Sequence, residues 1–505
     1  MRSRPVRWAA TMAGADESRV DYQLREVRVA IRVDPSLASM APTRETVILA
    51  TNLLLRLYPS VTIIAASADV QLASTCKELG AAIRGHADVV TVLQSAPARG
   101  DFDAVLNVGC DPFDGGPGVT LNSAGWLARV APNGSGLPAC TSQDERNPLG
   151  ALCAACLGVG SITMDLLGLA TIAEGFEIRL WDYAAGPVGS LDAGPTLPQD
   201  DLTMHAALIG CGGVGNGWAY AVRKLPVGGR IEAVDQQRLR PENVGTYIFG
   251  TTEALGRPKA ELVADVLRPA IHVTPHAEPF ELFRIRLERD LVEMPTMVIN
   301  GLDSIPTRHA VQRLWPEVVI DMASAGSTTQ LISHHRGQRG ICLLEALMSD
   351  TDPLDQAGRA ALMTGLTPER VRDNPTDFIN EVDVARAPEC FRADLEAARI
   401  RGQQICGRIT NYHLNEEEDS AEFVPAVPFV TAFSGIAGAA ETLKVLMGEA
   451  QPLHQQFDFR SMQIRALDLR CSSDCECQAA TAASRDDEAA GRRRVAAYDA
   501  WFEGP

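Results

Sequence analysis

The residues best able to do chemistry begin with a glycine-rich turn, Gly210-Cys-Gly-Gly-Val-Gly215, in which Gly210, Gly212 and Gly215 satisfy the spacing G-x-G-x-x-G. Between a strand and a helix, such a turn offers backbone N–H groups and the positive end of the helix dipole to a phosphate. Asp235 closes the next apolar segment, about twenty residues on, where a carboxylate can accept hydrogen bonds from ribose hydroxyls. An ordinary dinucleotide site would contain the same parts. Lys259, in Gly256-Arg-Pro-Lys, and Asp303, in Asn300-Gly-Leu-Asp, go further. Hydride transfer needs neither, whereas splitting ATP needs a cation for the phosphates and a carboxylate for Mg2+, because the transferring charge must be neutralised from both sides.

A βαβ unit has to position these groups. Residues 205–210 read as a short strand, 216–225 as a helix and 229–235 as a second strand, with further buried strands at 296–303 and 316–321. Alternation of this kind implies a mostly parallel sheet covered on both faces. The first third repeats the plan without its chemistry: strands at 27–33, 61–65 and 102–108, a helix at 43–58, and Asp34-Pro-Ser-Leu where the glycine turn would stand. Residues 158–168 can be laid on 438–448, each a small-residue helix stopped by glycine, which supports a duplication. Residues 186–201, rich in Pro, Gly and Asp, read as the connection between the halves.

At about 150 residues per domain, 505 residues correspond to about three folding units. A hydrophobic fraction of 46% and a charged fraction of 22% exclude a wholly disordered chain. The net charge of -18 repels nucleic-acid phosphates and anionic membranes, so neither is expected as a partner. No apolar segment follows the basic residues of MRSRPVRWAA, and a cytoplasmic location is expected. There the twelve cysteines are expected as buried thiols, nucleophiles or metal ligands. The apolar stretch 152–173 reads as a buried helix, with Cys153 and Cys156 inside it.

The ordered set Gly210 to Asn216, Asp235, Pro241-Glu-Asn243, Gly256-Arg-Pro-Lys259, Asn300-Gly-Leu-Asp303 and Arg308 resembles the E1 superfamily, which includes ubiquitin-activating enzymes and the bacterial ThiF and MoeB proteins. The resemblance covers residues 204–330 and again 427–448. It implies ATP and Mg2+ as cofactors and adenylation of the C-terminal glycine of a ubiquitin-like protein, with release of pyrophosphate. Carried over residue by residue, it assigns the phosphate loop to Gly210, Gly212, Gly213 and Gly215 and the ribose to Asp235. It assigns nucleotide contacts to Asn243 and Arg308, phosphate neutralisation to Lys259, and Mg2+ to Asp303. One departure stands out: the family usually reads Asn-x-x-Arg, and this chain has Asn243-Val-Gly-Thr246. Arg238, Arg240 or Arg257 could substitute, or Arg19 or Arg25 from the other half.

Members that pass their cargo onward use a cysteine thiolate, and the candidates are Cys406, favoured, and Cys390. Cys342, Cys471, Cys475 and Cys477 could close a structural Zn2+ site. His334 and His335 are expected to face solvent. The expected architecture is α/β: two tandem Rossmann-like adenylation folds, the first degenerate, with a small helical catalytic-cysteine insert in the second. The inactive domain spans 1–190, a linker 191–203, the active domain 204–348 and 427–478, the insert 349–426 and a flexible tail 479–505. The resemblance implies an intramolecular pseudo-dimer, with homodimerisation left open, that captures the ubiquitin-like protein as a thioester and passes it to an E2-like protein. The alternatives are a sulfur-carrier adenylyltransferase without thioester transfer and a low-activity ATP-binding scaffold.

Overall fold

A computed structural model describes residues 4–65, 70–95, 100–139, 146–347, 361, 364–374, 377–403, 405, 427–467, 469–472, 475–478 and 480, with the backbone alone at Asp373, Cys390 and Asp394. The first half runs α1 (Arg4–Ala13), α2 (Glu17–Glu26), β1 (Val29–Val33), α3 (Ala41–Leu57), β2 (Val61–Ile64), α4 (Val70–Arg84), β3 (Val90–Leu93), β4 (Ala104–Val108), β5 (Gly118–Ala124), β6 (Leu127–Pro132), α5 (Leu149–Leu166), β7 (Phe176–Arg179) and β8 (Ala184–Pro187). The second half runs β9 (Leu202–Ile209), α6 (Gly213–Val222), β10 (Val227–Val234), α7 (Pro241–Val244), α8 (Lys259–Leu267), β11 (His272–His276), α9 (Phe280–Glu288), β12 (Met297–Asn300), α10 (Ile305–Gln312), β13 (Val318–Ala325), β14 (Thr328–His335) and α11 (Leu343–Ala346). After an insertion it resumes with α15 (Pro428–Leu446), β15 (Leu453–Asp458) and β16 (Gln463–Ala466).

Each half builds an eight-stranded sheet, and the spatial order is the same in both: β3-β2-β1-β4-β5-β6-β7-β8 and β11-β10-β9-β12-β13-β14-β15-β16. The first five strands in each order are parallel and the last three join antiparallel. The parallel strands read as apolar runs because both faces are covered; β4, Ala-Val-Leu-Asn-Val, is buried at every position. The α/β class and the tandem Rossmann-like plan are therefore as the sequence implies. The long helices also match across the duplication: Gly168 and Gly448, just past α5 and α15, both take left-handed φ, +67° and +76°.

Two helices, α5 and α15, are long and apolar enough to cross a membrane, but each is 89% buried inside the fold. They form the packing centre between the halves. Helix α15 crosses α6 so closely that a Cβ on Gly435 would stand 2.3 Å from the Trp218 nitrogen and 2.4 Å from the Val214 oxygen. The Trp218 indole N–H donates to Thr442 Oγ1 at 2.9 Å across the same crossing. Polar groups stitch the halves as well. The Tyr183 hydroxyl donates to Glu441 Oε1 at 2.7 Å, Lys444 Nζ donates to the Trp181 carbonyl at 3.0 Å, and the Trp8 indole donates to the Gly326 carbonyl at 2.9 Å.

Residues 193–195 of the connecting segment lie on Trp126: its backbone N–H donates to Ala193 O and its indole N–H to Pro195 O. His334 and His335 correct the sequence expectation. Both are buried, at the end of β14 that pairs with β13 alone, where the chain returns after the strand and the Ile341 backbone hydrogen-bonds His334. Burial drives the pKa of each down, from 6.5 to about 4.

A second compact unit comprises Ser304–Pro306 and Leu347–Pro425. Its described helices are α12 (Pro368–Asp373), α13 (Glu381–Arg386) and α14 (Glu389–Ile400). They enclose a small core of Leu366, Val371, Ile379, Ala387, Leu395, Ala398 and Ile405. Asn380 caps α13 and Thr367 caps α12, while Arg370 spans Asp377 and Asp383 at 2.6 and 2.9 Å. The expected tail residues 479 and 481–505 lie outside the described residues.

Two outcomes follow from this packing. Gly435→Leu should destabilise the chain by about 3 kcal/mol in urea unfolding, since neither helix can retreat from a filled core. Because the buried histidines take up protons only after unfolding, stability should be complete above pH 6.5 and fall between pH 6.5 and about 4, and His335→Gln should flatten that fall in urea midpoints.

Candidate functional site

The site forms where the strand order reverses, between β9 and β12, the crevice in which open α/β sheets bind ligands. Gly210 ends β9 with φ +92°, and a Cβ there would meet the Gly301 carbonyl carbon at 2.9 Å. A Cβ on Gly215 would come within 2.2 Å of the Gly210 oxygen. Only glycine allows this approach, and the turn leads directly into α6, whose first residue is Gly213. Gly212, by contrast, is spatially open, its nearest neighbour being the Tyr247 hydroxyl at 3.5 Å.

Asp235 braces this turn. Its Oδ2 accepts from the Cys211 N–H at 2.9 Å and its Oδ1 from the Gln237 N–H at 2.7 Å. Burial pushes its carboxyl pKa up, Lys259 and the two N–H groups pull it back, and the charge of Asp303 adds to the rise. Asp235 and Asp303 therefore feel each other across one crevice. Asp303 itself is exposed, three residues beyond the end of β12.

Lys259 opens α8 with only 3% of its surface exposed. Its ammonium donates to Gln237 Oε1 at 2.5 Å and to the Tyr247 hydroxyl at 2.9 Å, and stands 4.9 Å from the Tyr247 ring centroid. These hydrogen-bond partners are neutral, and the nearby carboxylate that feels the charge is Asp235. Asn243 is buried in the short helix α7, where its Oδ1 accepts from the Arg240 N–H at 3.0 Å. Asn216 ties the parts together. Its amide N–H groups donate to the carbonyls of Cys211 and Gly212, and its Oδ1 accepts from the Phe249 N–H at 3.2 Å.

Some expected residues lie elsewhere. Arg308 is buried, and its guanidinium forks onto Asp321, which also accepts from Asn300 Nδ2 at 2.6 Å. Register places Asp321 beside Asn300 inside the sheet, so the Arg308 charge is satisfied there rather than turned to a nucleotide. Thr246, where the family carries Arg, is buried, with its carbonyl accepting from Thr431 Oγ1. Of the arginines that could substitute, Arg257 pairs with Asp265 and Arg25 with Asp21, Arg238 donates to the Gly256 carbonyl, and Arg19 and Arg240 are exposed. Cys211, Cys153 and Cys156 are buried thiols whose pKa burial raises. Cys390 lies in the first turn of α14, and Cys406 lies outside the described residues.

The first half shows what the site would be without its glycines. Asp34 is buried in the corresponding turn, with its Oδ1 accepting from the Ser36 N–H and hydroxyl at 2.9 and 2.7 Å. A Cβ on Gly109, at the end of β4, would stand 2.6 Å from the Asp34 Cβ. The crevice is filled by a carboxylate, the wrong charge for a phosphate.

Away from this crevice, Cys342, Cys471, Cys475 and Cys477 converge with all four sulfurs within 4.8 Å of one another. The Cys342 and Cys475 sulfurs are 3.5 Å apart. A tetrahedral zinc–thiolate centre with bonds of about 2.3 Å requires sulfurs slightly less than 4 Å apart, so the donor set fits. Burial raises the thiols of Cys475 and Cys477 to about 11 and about 12, a penalty that a divalent cation reverses by taking thiolates. The cluster fastens the chain after β16 to the start of α11, beside the bidentate Arg313–Glu476 pair at 2.9 and 2.7 Å.

The ThiF family model matches residues 192–479, more than half of the chain. The chain belongs to the ThiF family, ATP-using adenylating enzymes of the E1/MoeB superfamily. It is 26% identical over 449 residues to the uncharacterized protein y4jF of Sinorhizobium fredii, covering 82% of this chain and 81% of that protein. Among solved structures it is similar to E. coli MccB with MccA-N7isoASN, at 14% identity and a TM-score of 0.34, covering 54% of this chain and 66% of MccB. E. coli MccB with ATP gives 13% and 0.32 over the same shares.

Adding Co2+ to the metal-free chain should give the strong visible absorption of a tetrathiolate centre, and Cys475→Ser should weaken it and lower the thermal midpoint of the metal-loaded chain.

Proposed function

We propose that the chain is an E1-like enzyme that uses ATP and Mg2+ to adenylate the C-terminal glycine of a ubiquitin-like protein, captures it as a cysteine thioester and passes it to an E2-like protein. The observation that carries this reading is the asymmetry of the duplication: one crevice is open and lined by glycine N–H groups, and its counterpart is closed by Asp34. A sulfur-carrier activator needs only one such half, repeated by homodimerisation. A fused, closed half together with a cysteine-bearing insertion favours a conjugation enzyme.

On this reading, the N–H groups of the glycine turn and the Lys259 ammonium hold the phosphates, Asp235 and Asn243 hold the nucleoside side, and Asp303 holds Mg2+. Bound Mg2+ supplies charge neutralisation of the phosphate oxygens. The cargo carboxylate attacks the α-phosphorus, the bond to the bridging oxygen breaks, and pyrophosphate leaves with that electron pair. The protein contributes position and charge and no nucleophile of its own to this step. A cysteine thiolate then attacks the acyl carbon and AMP leaves. Cys390 has in its support the partial positive charge of a helix N-terminus, which favours the thiolate. Cys406, next to Gly407, has the family's placement, ahead of the segment that forms α15.

The test is to incubate the full chain with ATP, Mg2+ and a candidate ubiquitin-like protein ending in an exposed glycine, and to read intact masses without reductant. The expected product is a thiol-cleavable adduct retained in only one of Cys406→Ala and Cys390→Ala. An acyl-adenylate with no adduct would move the reading to sulfur-carrier activation.

A further inference from the structure

Arg56 lies on α3 of the closed half, yet its hydrogen bonds run mostly into the open one. The side chain is 5% exposed. One terminal nitrogen donates to the carbonyls of Val244 and, at 3.0 Å, Gly250; the other donates to the Ile248 carbonyl at 2.6 Å; and Nε donates to Asn52 Oδ1 at 2.8 Å. The Asn52 amide donates in turn to the same Ile248 carbonyl at 3.2 Å. Among the described residues, Arg56 has no carboxylate partner. Burial, with the nearby charge of Arg84, lowers its pKa to about 9. A buried cation held only by neutral acceptors is tolerated when those acceptors are rigid and well aimed.

The carbonyls it gathers all belong to the segment 244–250, and that segment touches the site twice. Tyr247 accepts the hydrogen bond of the Lys259 ammonium, and the Phe249 N–H bonds Asn216, whose amide grips Cys211 and Gly212. One guanidinium thus fixes the backbone that aims the phosphate cation and braces the glycine turn. The same segment contains Thr246 at the position of the family Arg, so it gives the phosphates no cation of its own.

We propose that Arg56 is a positioning residue for the ATP site, supplied by the half that lacks one. It acts through 244–250 on Tyr247 and Lys259 and touches no ligand itself. The proposal rests on the nucleotide-site reading above. Asn52 belongs to the same device, as the side chain that presets the fork of the guanidinium.

The experiment measures binding of ATP with Mg2+, and of AMP, to the full chain by calorimetry, with thermal midpoints as the control for folding. The variants are Arg56→Met, Arg56→Lys, Tyr247→Phe and the double variant Arg56→Met/Tyr247→Phe. Arg56→Met should weaken ATP about tenfold while AMP, which lacks the outer phosphates, changes less. Arg56→Lys should recover part of the loss, since it restores the charge but not the fork. The double variant should bind ATP no more weakly than the weaker single variant, because both changes cut one chain of contacts.

If Arg56→Met does not fold, the comparison of Arg56→Lys with wild type, by the same ATP-to-AMP ratio, decides the matter. Unchanged ATP binding in folded Arg56 variants, equal losses for ATP and AMP, or losses that multiply in the double variant would each overturn the proposal while leaving the site reading intact. A wild-type chain that binds neither nucleotide would overturn both.

Discussion

The crevice depends on a backbone approach that no side chain permits. At the ends of β9 and β12, Gly210 and Gly301 stand face to face, and Gly215 returns over the Gly210 carbonyl. The contact lets the glycine turn fold tightly into the head of α6, where the Gly210 and Cys211 N–H groups are taken by Val234 and Asp235. In the closed half the corresponding position at the end of β4 is still a glycine, Gly109, but Asp34 occupies the gap. One local choice, glycine or aspartate, thus decides which of two identically ordered sheets can receive a phosphate.

A half without a site persists because the other half cannot bury its surface alone. Glu441, Lys444 and Gly326 meet polar partners from the first half, and α15 lies against α5. Tyr183 and the Trp181 carbonyl complete the buried Glu441–Lys444 ion pair from the other half, and the Trp8 indole satisfies the Gly326 carbonyl; a buried neutral group left without its partner costs about 1–3 kcal/mol. The polar groups also set the register of the two halves. Apolar helices could slide past each other, whereas Tyr183 reaches Glu441 in one arrangement only. Arg56 is the most extreme case, a cation whose two terminal nitrogens are both given to the partner half's backbone.

Much of this was legible in the sequence, and the pattern of successes has a physical basis. Apolar runs located β1, β9, β10 and β12, because parallel strands buried on both faces leave a continuous signature. The glycine turn, Asp235 and Lys259 were legible because their chemistry constrains residue type and spacing together. The four thiols, from Cys342 to Cys477, could be grouped by type despite an unusual spacing. What escaped was set by tertiary register. Tyr247 and Gln237 have ordinary local contexts, and only the fold brings them to the Lys259 ammonium. The burial of His334 and His335 depends on how the chain folds back after β14, where the Ile341 backbone meets His334. The resemblance assigns Arg308 to the nucleotide, and the sequence does not show its partner Asp321, which Arg308 reaches beside Asn300 on the β12–β13 ladder. Nothing near Arg56 in the chain points to Val244, Ile248 or Gly250.

The charges of the crevice also constrain the form in which a nucleotide can enter. Asp235 is half-buried with a raised pKa, and part of that rise comes from Asp303, so the crevice itself contains carboxylate repulsion. Lys259 offsets some of it, but its ammonium is fixed by Gln237 and Tyr247 at one end of the site. A bare triphosphate would add several negative charges beside Asp303, in a protein of net charge -18. In the proposed enzyme, a divalent cation entering with the phosphates would change the sign of that interaction, with Asp303 as the residue that would hold it. On the proposed reading, the same carboxylate selects ATP as its metal complex over free ATP. Thr246 sharpens the requirement, because the segment 244–250 has no arginine to share the neutralisation.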